Sequence, residues 1–318
     1  MRVPLFGRVN VSEATTWMRA AALCGVALVL AAVPGLPNAK ADPPGSTAAP
    51  VTLPSPFVQI GVGPFGGTLW RGWIPDPAIP AAQRITIVYL PPNVSATGAY
   101  PVLYLLHGLA GSPYEFAHGL QLATVADDAI EAHRVPPFVA VAPPAGATWQ
   151  FHGEWTGPWE DYVVDDVVPW VDANLPVLHV PQGRALAGLS AGGYGAVDIG
   201  LRHPDLFGTL ESWSGYFDAP RDGSLAHADA VELAAHDPSL LVEREAPQLR
   251  RLGTRFYLSS ATTHDPVTAA DTIGFARELA SLGLPYRLVL KPGGHDGAFW
   301  LAQMPAALRF ALGPPSGT

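Results

Sequence analysis

The chain has 318 residues, a formal net charge of −9, 48% hydrophobic and 14% charged residues, and one cysteine. Such a length buries one large α/β core or two small ones. The acidic balance, with no basic cluster, excludes a nucleic-acid or anionic-membrane binder, and one cysteine excludes a disulfide within the chain and a cysteine metal site.

The first 41 residues differ from the rest. Arg2, Arg8 and Arg19 precede an apolar run at 20–33, and Pro34, Gly35 and Pro37 follow it. Ala39 and Ala41 then place small residues at the third and first positions before a cleavage point at Asp42. This is the pattern of a secretory signal peptide. An uncleaved anchor is the alternative, although the run is shorter than the ~20 residues that span a bilayer. Cys24 lies inside the run, so the exported chain is expected to carry no thiol. Cleavage also removes Arg2, Arg8, Arg19 and Lys40 against one acid, Glu13, which leaves Lys291 as the sole lysine. Residues 42–56 are rich in proline, alanine and small polar residues and read as an extended linker. The remainder, 57–318, is expected to form one domain, secreted or held in the cell envelope, with no membrane span after cleavage.

From Val58 onward short apolar runs alternate with amphipathic segments, the pattern of a mostly parallel sheet. Strands are predicted at 84–90, 102–107, 138–142, 184–189, 206–212, 254–259 and 286–290. Helices are predicted at 120–132, 161–173, 193–202, 270–282 and 297–312, with Pro204 closing the third. Most of the strands are short and apolar, as expected when helices cover both faces of a sheet.

Gly188-Leu189-Ser190-Ala191-Gly192 falls between a predicted strand and a predicted helix. A serine on so sharp a turn needs small neighbours, and its hydroxyl is pushed out above the sheet; this is a nucleophile elbow. An ester-cleaving serine further needs a base, an acid to orient that base, and donors for the tetrahedral oxyanion. Their order along this kind of chain is serine, acid, histidine. His203, His227, His236, His264 and His295 follow Ser190. His295 is the candidate base, because it hangs in the glycine-rich loop between the last strand and the last helix. Asp265, after the strand at 254–259, is the candidate acid, with Asp271 and Asp218 as alternatives. A turn or cap role before Pro266 would equally suit Asp265. The backbone N–H groups of Ala191 and Leu109 are the candidate oxyanion donors, and His107 reads as a structural residue of the turn before Leu109. A glycine-rich helix start can also bind phosphate, but no lysine follows it here.

The chain resembles the esterase-D/antigen 85 (mycolyltransferase-like) branch of the α/β-hydrolases. The resemblance rests on Tyr100 to Gly108, Gly188 to Ala196, His203-Pro204-Asp205-Leu206-Phe207, and Pro292 to Asp296 with Trp300, in that order over most of residues 100–300. It implies an α/β-hydrolase fold, a mostly parallel central sheet flanked by helices on both faces, and a serine esterase or an acyltransferase working through the same acyl-enzyme. Two departures stand out: Gly297 replaces a tryptophan found in many members, and the acid loop 260–265 lacks the glycine often found there. In similar proteins the region of Trp149, Phe151, His152, Glu154 and Trp155 lines the acyl or alcohol site. Glu154, Trp155, Tyr194 and Trp300 are the candidate substrate-binding residues. His152 and Glu154 could begin a metal pair, but no third ligand is evident, so no metal and no cofactor are expected. The expected substrate is a small ester or an acyl lipid. Acyl transfer to a sugar or lipid hydroxyl is the alternative to hydrolysis, and a non-catalytic cell-wall or matrix-binding protein is the third reading.

Overall fold

The computed structural model describes residues 51–77, 79, 84–145 and 154–313. The predicted signal segment, linker residues 42–50, and Trp149, Phe151 and His152 lie outside the described residues. Strands β1 (Val58–Val62), β2 (Thr68–Trp73), β3 (Ile85–Leu90), β4 (Val102–Leu106), β5 (Val139–Ala142), β6 (Arg184–Leu189), β7 (Thr209–Trp213), β8 (Arg255–Ala261) and β9 (Tyr286–Lys291) form one sheet. Its order is β1-β2-β3-β5-β4-β6-β7-β8-β9. The pairings from β1 to β3, and of β3 with β5, are antiparallel; all those from β5 to β9 are parallel.

Along β4, Val102, Tyr104 and Leu106 belong to one hydrophobic core, and Leu103 and Leu105 belong to the other. Successive side chains point to opposite faces of a strand, so an unbroken apolar run means burial on both. Helices α1 (Leu122–Glu131) and α8 (Gly297–Leu312) cover one face. The other is covered by α2 (Pro158–Asp161), which continues through a π-helical stretch at 162–167 into α3 (Val168–Asn174), by α4 (Ala191–Arg202), and, beyond the short α5 (Ala230–Ala235), by α6 (Pro238–Leu252) and α7 (Pro266–Ser281).

The predicted strands are all present, with β7 displaced: it begins at Thr209, not at 206, because Leu206 N–H closes a turn onto His203 O at 3.0 Å. Two strands and one long helix are additions. β1 is exposed along most of its length and carries a register shift, so it shows no apolar run. The hairpin of β1 and β2 is instead pinned by the buried Asp127, which accepts from Tyr89 Oη (2.6 Å), Phe65 N (2.8 Å) and Gly67 N (3.1 Å). Helix α6 carries Pro247 inside it and a charged exposed face, both of which argue against a helix in a sequence window. Helix α7 starts at Pro266, four residues earlier than predicted.

Candidate active site

Ser190 joins β6 to α4 with φ 53° and ψ −121°, a conformation that costs a non-glycine residue of order 1–3 kcal/mol. Three hydrogen bonds hold it there. Its N–H donates to Trp213 O (2.9 Å), and its carbonyl accepts from Gly193 N (2.8 Å) and Tyr194 N (3.1 Å). The flanking glycines follow from the closeness of the turn. A Cβ at Gly188 would strike the carbonyl of Gly192, and one at Gly192 would strike the carbonyl of Leu106.

The loops after β8 and β9 lie side by side at the same edge of the sheet. Thr262 N–H donates to Lys291 O and His264 N–H to Gly293 O, both at 2.9 Å. This strapping sets Asp265 against His295. His295 Nδ1 lies 2.8 Å from Asp265 Oδ2, and its Nε2 lies 2.8 Å from Ser190 Oγ. With the proton on Nδ1, the carboxylate accepts it and Nε2 is left to accept the serine hydroxyl. Asp265 occupies the cap position of α7, yet its side chain caps nothing; Asp296, next to the histidine, does cap α8 through Phe299 N at 3.0 Å. Asp271 is exposed on α7 and Asp218 is exposed beyond β7. The structure thus sets Asp265, and neither alternative, on Nδ1. Trp300 stands edge-on to His295, centroids 5.1 Å apart, and donates its indole N–H to Ser214 Oγ at 3.3 Å.

The segment 107–109 runs directly beside the serine: a Cβ placed on Gly108 would sit 3.3 Å from Ser190 Cβ. His107 is buried. Its Nε2 accepts from Ala145 N (3.0 Å), so its Nδ1–H donates to Gly108 O (2.8 Å), where Gly111 N–H also donates (2.9 Å). Burial pushes this imidazole down to about 4, which keeps it neutral and leaves its bonding unchanged near neutral pH. A peptide unit is planar and trans, so holding the Gly108 carbonyl fixes the opposite direction of the Leu109 N–H.

The candidate substrate contacts Trp155, Tyr194, Glu154 and Trp300 are all buried. Trp155 is fully buried, donates its indole N–H to His107 O at 3.0 Å and packs edge-on to the His107 ring. Tyr194 is also fully buried, donates to His236 O at 2.8 Å and stacks on Tyr216. Both side chains are thus enclosed by the protein and hold neighbouring backbone carbonyls. Glu154 is buried under Tyr216, whose hydroxyl donates to it. Burial pushes its carboxyl up to about 7, against the Tyr216 bond and with help from nearby Asp222. Trp300, too, is almost wholly buried and supports His295.

Among the described residues, Glu160, Asp198 and His236 offer three ligand atoms within 4.8 Å of one another. Each already has a hydrogen-bond partner. Glu160 Oε1 accepts from Arg202 Nε (2.7 Å) and contacts His203 Nε2 (2.9 Å), while Asp198 Oδ2 pairs with His236 Nδ1 (2.9 Å). With the Arg202 charge on one of its ligands, this cluster suits an ion-pair network better than a metal. Sequence reasoning passed over one neighbour of the site, Ser214, which accepts from Trp300. Ser214 follows β7 with φ 54°; its place at the end of a strand next to β6 was the available signal.

A family model described as Putative esterase matches residues 81–311. An esterase of Mycobacterium tuberculosis is 28% identical over 241 residues, covering 65% of this chain and 51% of the relative, so the chain spans about half of that protein's length. A diacylglycerol acyltransferase/mycolyltransferase of Mycobacterium leprae is 28% identical over 129 residues, 37% of each chain. Among solved structures, a ferulic acid esterase is similar with a TM-score of 0.68 at 23% identity, covering 77% of this chain and 98% of that one; at that identity the likeness is one of fold. With its match across most of the sheet and the serine, histidine and aspartate loops, this chain belongs to the Putative esterase family of α/β-hydrolase fold.

Proposed function

We propose that the chain is a secreted serine esterase that hydrolyses carboxylic esters through an acyl-enzyme on Ser190. The observation that carries this reading is the hydrogen-bond series from Asp265 through His295 to Ser190, on a serine held at positive φ. Ser190 Oγ attacks the acyl carbonyl while His295 Nε2 takes its proton. Asp265 holds the ring and stabilises the imidazolium. The N–H groups of Leu109 and Ala191 receive the oxyanion, at the start of a helix whose dipole favours negative charge. His295 then protonates the departing alcohol, and water, deprotonated by the same nitrogen, releases the acid. Export rests on the basic, apolar and small-residue pattern of 1–41, and an exported protein beginning at Asp42 is expected.

Ser190→Ala should lower ester turnover by at least about 10⁴-fold and abolish labelling by a fluorophosphonate. Labelling of the variant would place the nucleophile elsewhere. Acyl transfer to a hydroxyl is the second reading, favoured by the similarity to the Mycobacterium leprae acyltransferase/mycolyltransferase. The acyl-enzyme is the same, and exclusion of water decides between them. Mass spectrometry of products formed from an acyl donor with glycerol or trehalose separates the two: free acid as the dominant product supports hydrolysis, and acylated acceptor supports transfer.

A further inference from the structure

In the sheet β7 lies between β6, which leads to Ser190, and β8, which leads to Asp265. Trp213 and Ser214 stand at its end. Trp213 O receives the Ser190 N–H at 2.9 Å, and Ser214 N–H donates to Ser259 O on β8 at 2.7 Å. The Ser214 hydroxyl faces the third loop: its Oγ accepts the indole N–H of Trp300 at 3.3 Å. Trp300 closes the first turn of α8, where its own backbone N–H donates to Asp296 O at 3.2 Å. Its ring stands edge-on to His295. One dipeptide is thus bonded to the nucleophile's backbone, to the strand that leads to the acid, and, through an indole, to the side of the base.

Ser214 is fully buried and holds φ at 54°. Glycine is the default residue for such a backbone, and a side chain there carries strain of the kind that clusters at functional sites. What this serine has and a glycine lacks is the oxygen on the Trp300 indole. The bond is a buried one, and a buried donor left without an acceptor is costly. Trp300 is therefore held in one place by Ser214. The His295 ring needs such a neighbour. Its two nitrogens bond Asp265 and Ser190, and ring nitrogens make their bonds in the plane of the ring. Two such bonds leave the ring free to tilt about the line through them. The Trp300 ring, at 82° to the imidazole with centroids 5.1 Å apart, stands in the way of that tilt.

We infer that Ser214 is a positioning residue for the base: through Trp300 it holds the plane of the His295 ring, so that Nε2 stays aligned on Ser190 Oγ. The inference rests on the esterase reading above. Without the hydroxyl the indole turns towards another acceptor, and the imidazole loses its side support. Misplacing a reacting group by about 1 Å can cost about 10²-fold in rate; a ring still bonded at both nitrogens should lose less, about tenfold.

The experiment compares wild type, Ser214→Gly, Trp300→Phe and the double variant, with each preparation titrated by fluorophosphonate to count competent serines. Ser214→Gly removes the hydroxyl and at the same time relieves the backbone, so a loss of activity cannot come from added strain. It should lose about tenfold in kcat per titrated site with KM within about twofold, as expected of a group that acts on the transition state. Trp300→Phe keeps a ring beside His295 but has no N–H to give Ser214, and should lose a similar factor. The double variant should stay within about twofold of Trp300→Phe, because both changes break one link. Wild-type kcat in either single variant, a rise in KM alone, or losses that multiply to about 100-fold in the double variant would overturn the inference. If wild type itself neither turns over esters nor is labelled, the esterase reading fails and takes this inference with it; a labelled, active wild type beside an unaffected glycine variant sinks the inference alone.

Discussion

Two histidine–aspartate pairs of nearly equal geometry occur in this molecule. His295 Nδ1 meets Asp265 Oδ2 at 2.8 Å, and His236 Nδ1 meets Asp198 Oδ2 at 2.9 Å. Their surroundings differ. The first pair has side chains 35% and 10% exposed and turns Nε2 onto Ser190; the second has side chains 11% and 0% exposed. Asp198 lies on α4, so both pairs are tied to the helix that begins beside Ser190. The sealed pair joins this helix to the end of α5, where the His236 carbonyl also receives the Tyr194 hydroxyl. A carboxylate that orients an imidazole is thus a common structural device. What sets the first pair apart is that its other ring nitrogen faces a serine hydroxyl on a residue held at positive φ.

The comparison can be broken most directly at the two aspartates. Asp265→Asn should lower kcat by about 10⁴-fold while leaving the fold intact, because the histidine is left in the wrong tautomer. Asp271→Asn, at an exposed helix position, should leave kcat unchanged; the reverse pattern would move the acid. Asp198→Asn should keep kcat within about threefold of wild type but lose about 1–3 kcal/mol of stability, since it disturbs a buried hydrogen-bonded pair. Denaturant unfolding together with steady-state kinetics reads all three. A catalytic loss in Asp198→Asn at normal stability would erase the distinction between the pairs.

A smaller effect sharpens the comparison at Glu154, a buried carboxyl partnered by a tyrosine. Its carboxyl is raised from 4.5 to about 7, chiefly by burial. A folded-state value above the unfolded one means that the folded protein holds its proton longer. The stability this contributes is fully present below pH 4.5 and is lost as pH rises towards 7. Glu154→Gln cannot ionise, so the difference in Tm between pH 4.5 and pH 8 should narrow by roughly 3–6 °C. An unchanged difference would mean that Glu154 ionises as freely in the folded protein as in the unfolded chain.

Much of the architecture was legible because the inner parallel strands β4, β5 and β6 are buried on both faces and so read as largely apolar runs. The edge hairpin was not legible. β1 is largely exposed and is held by Asp127, which is 60 or more residues away in sequence from the amides it binds. Helix α6 was hidden by Pro247, which its packing tolerates. Trp155 and Tyr194 carried the composition of a binding wall, yet their depth depends on neighbours from distant segments.

Local chemistry was enough for the elbow. Gly188 and Gly192 are required by carbonyls that press on the turn, and a strand leading straight into a helix exposes the serine between them. The order of serine, acid and histidine was readable for a similar reason, as each follows the end of its own strand. The partners were decided by packing alone. Ser190 and His295 are 105 residues apart, and His295 and Asp265 are 30 apart. Which aspartate reaches Nδ1, and which histidine pair stays open to a substrate, depends on how β8, β9 and α8 stack. Contacts across such distances are set by the burial of whole elements against one another and leave no mark at the residues themselves.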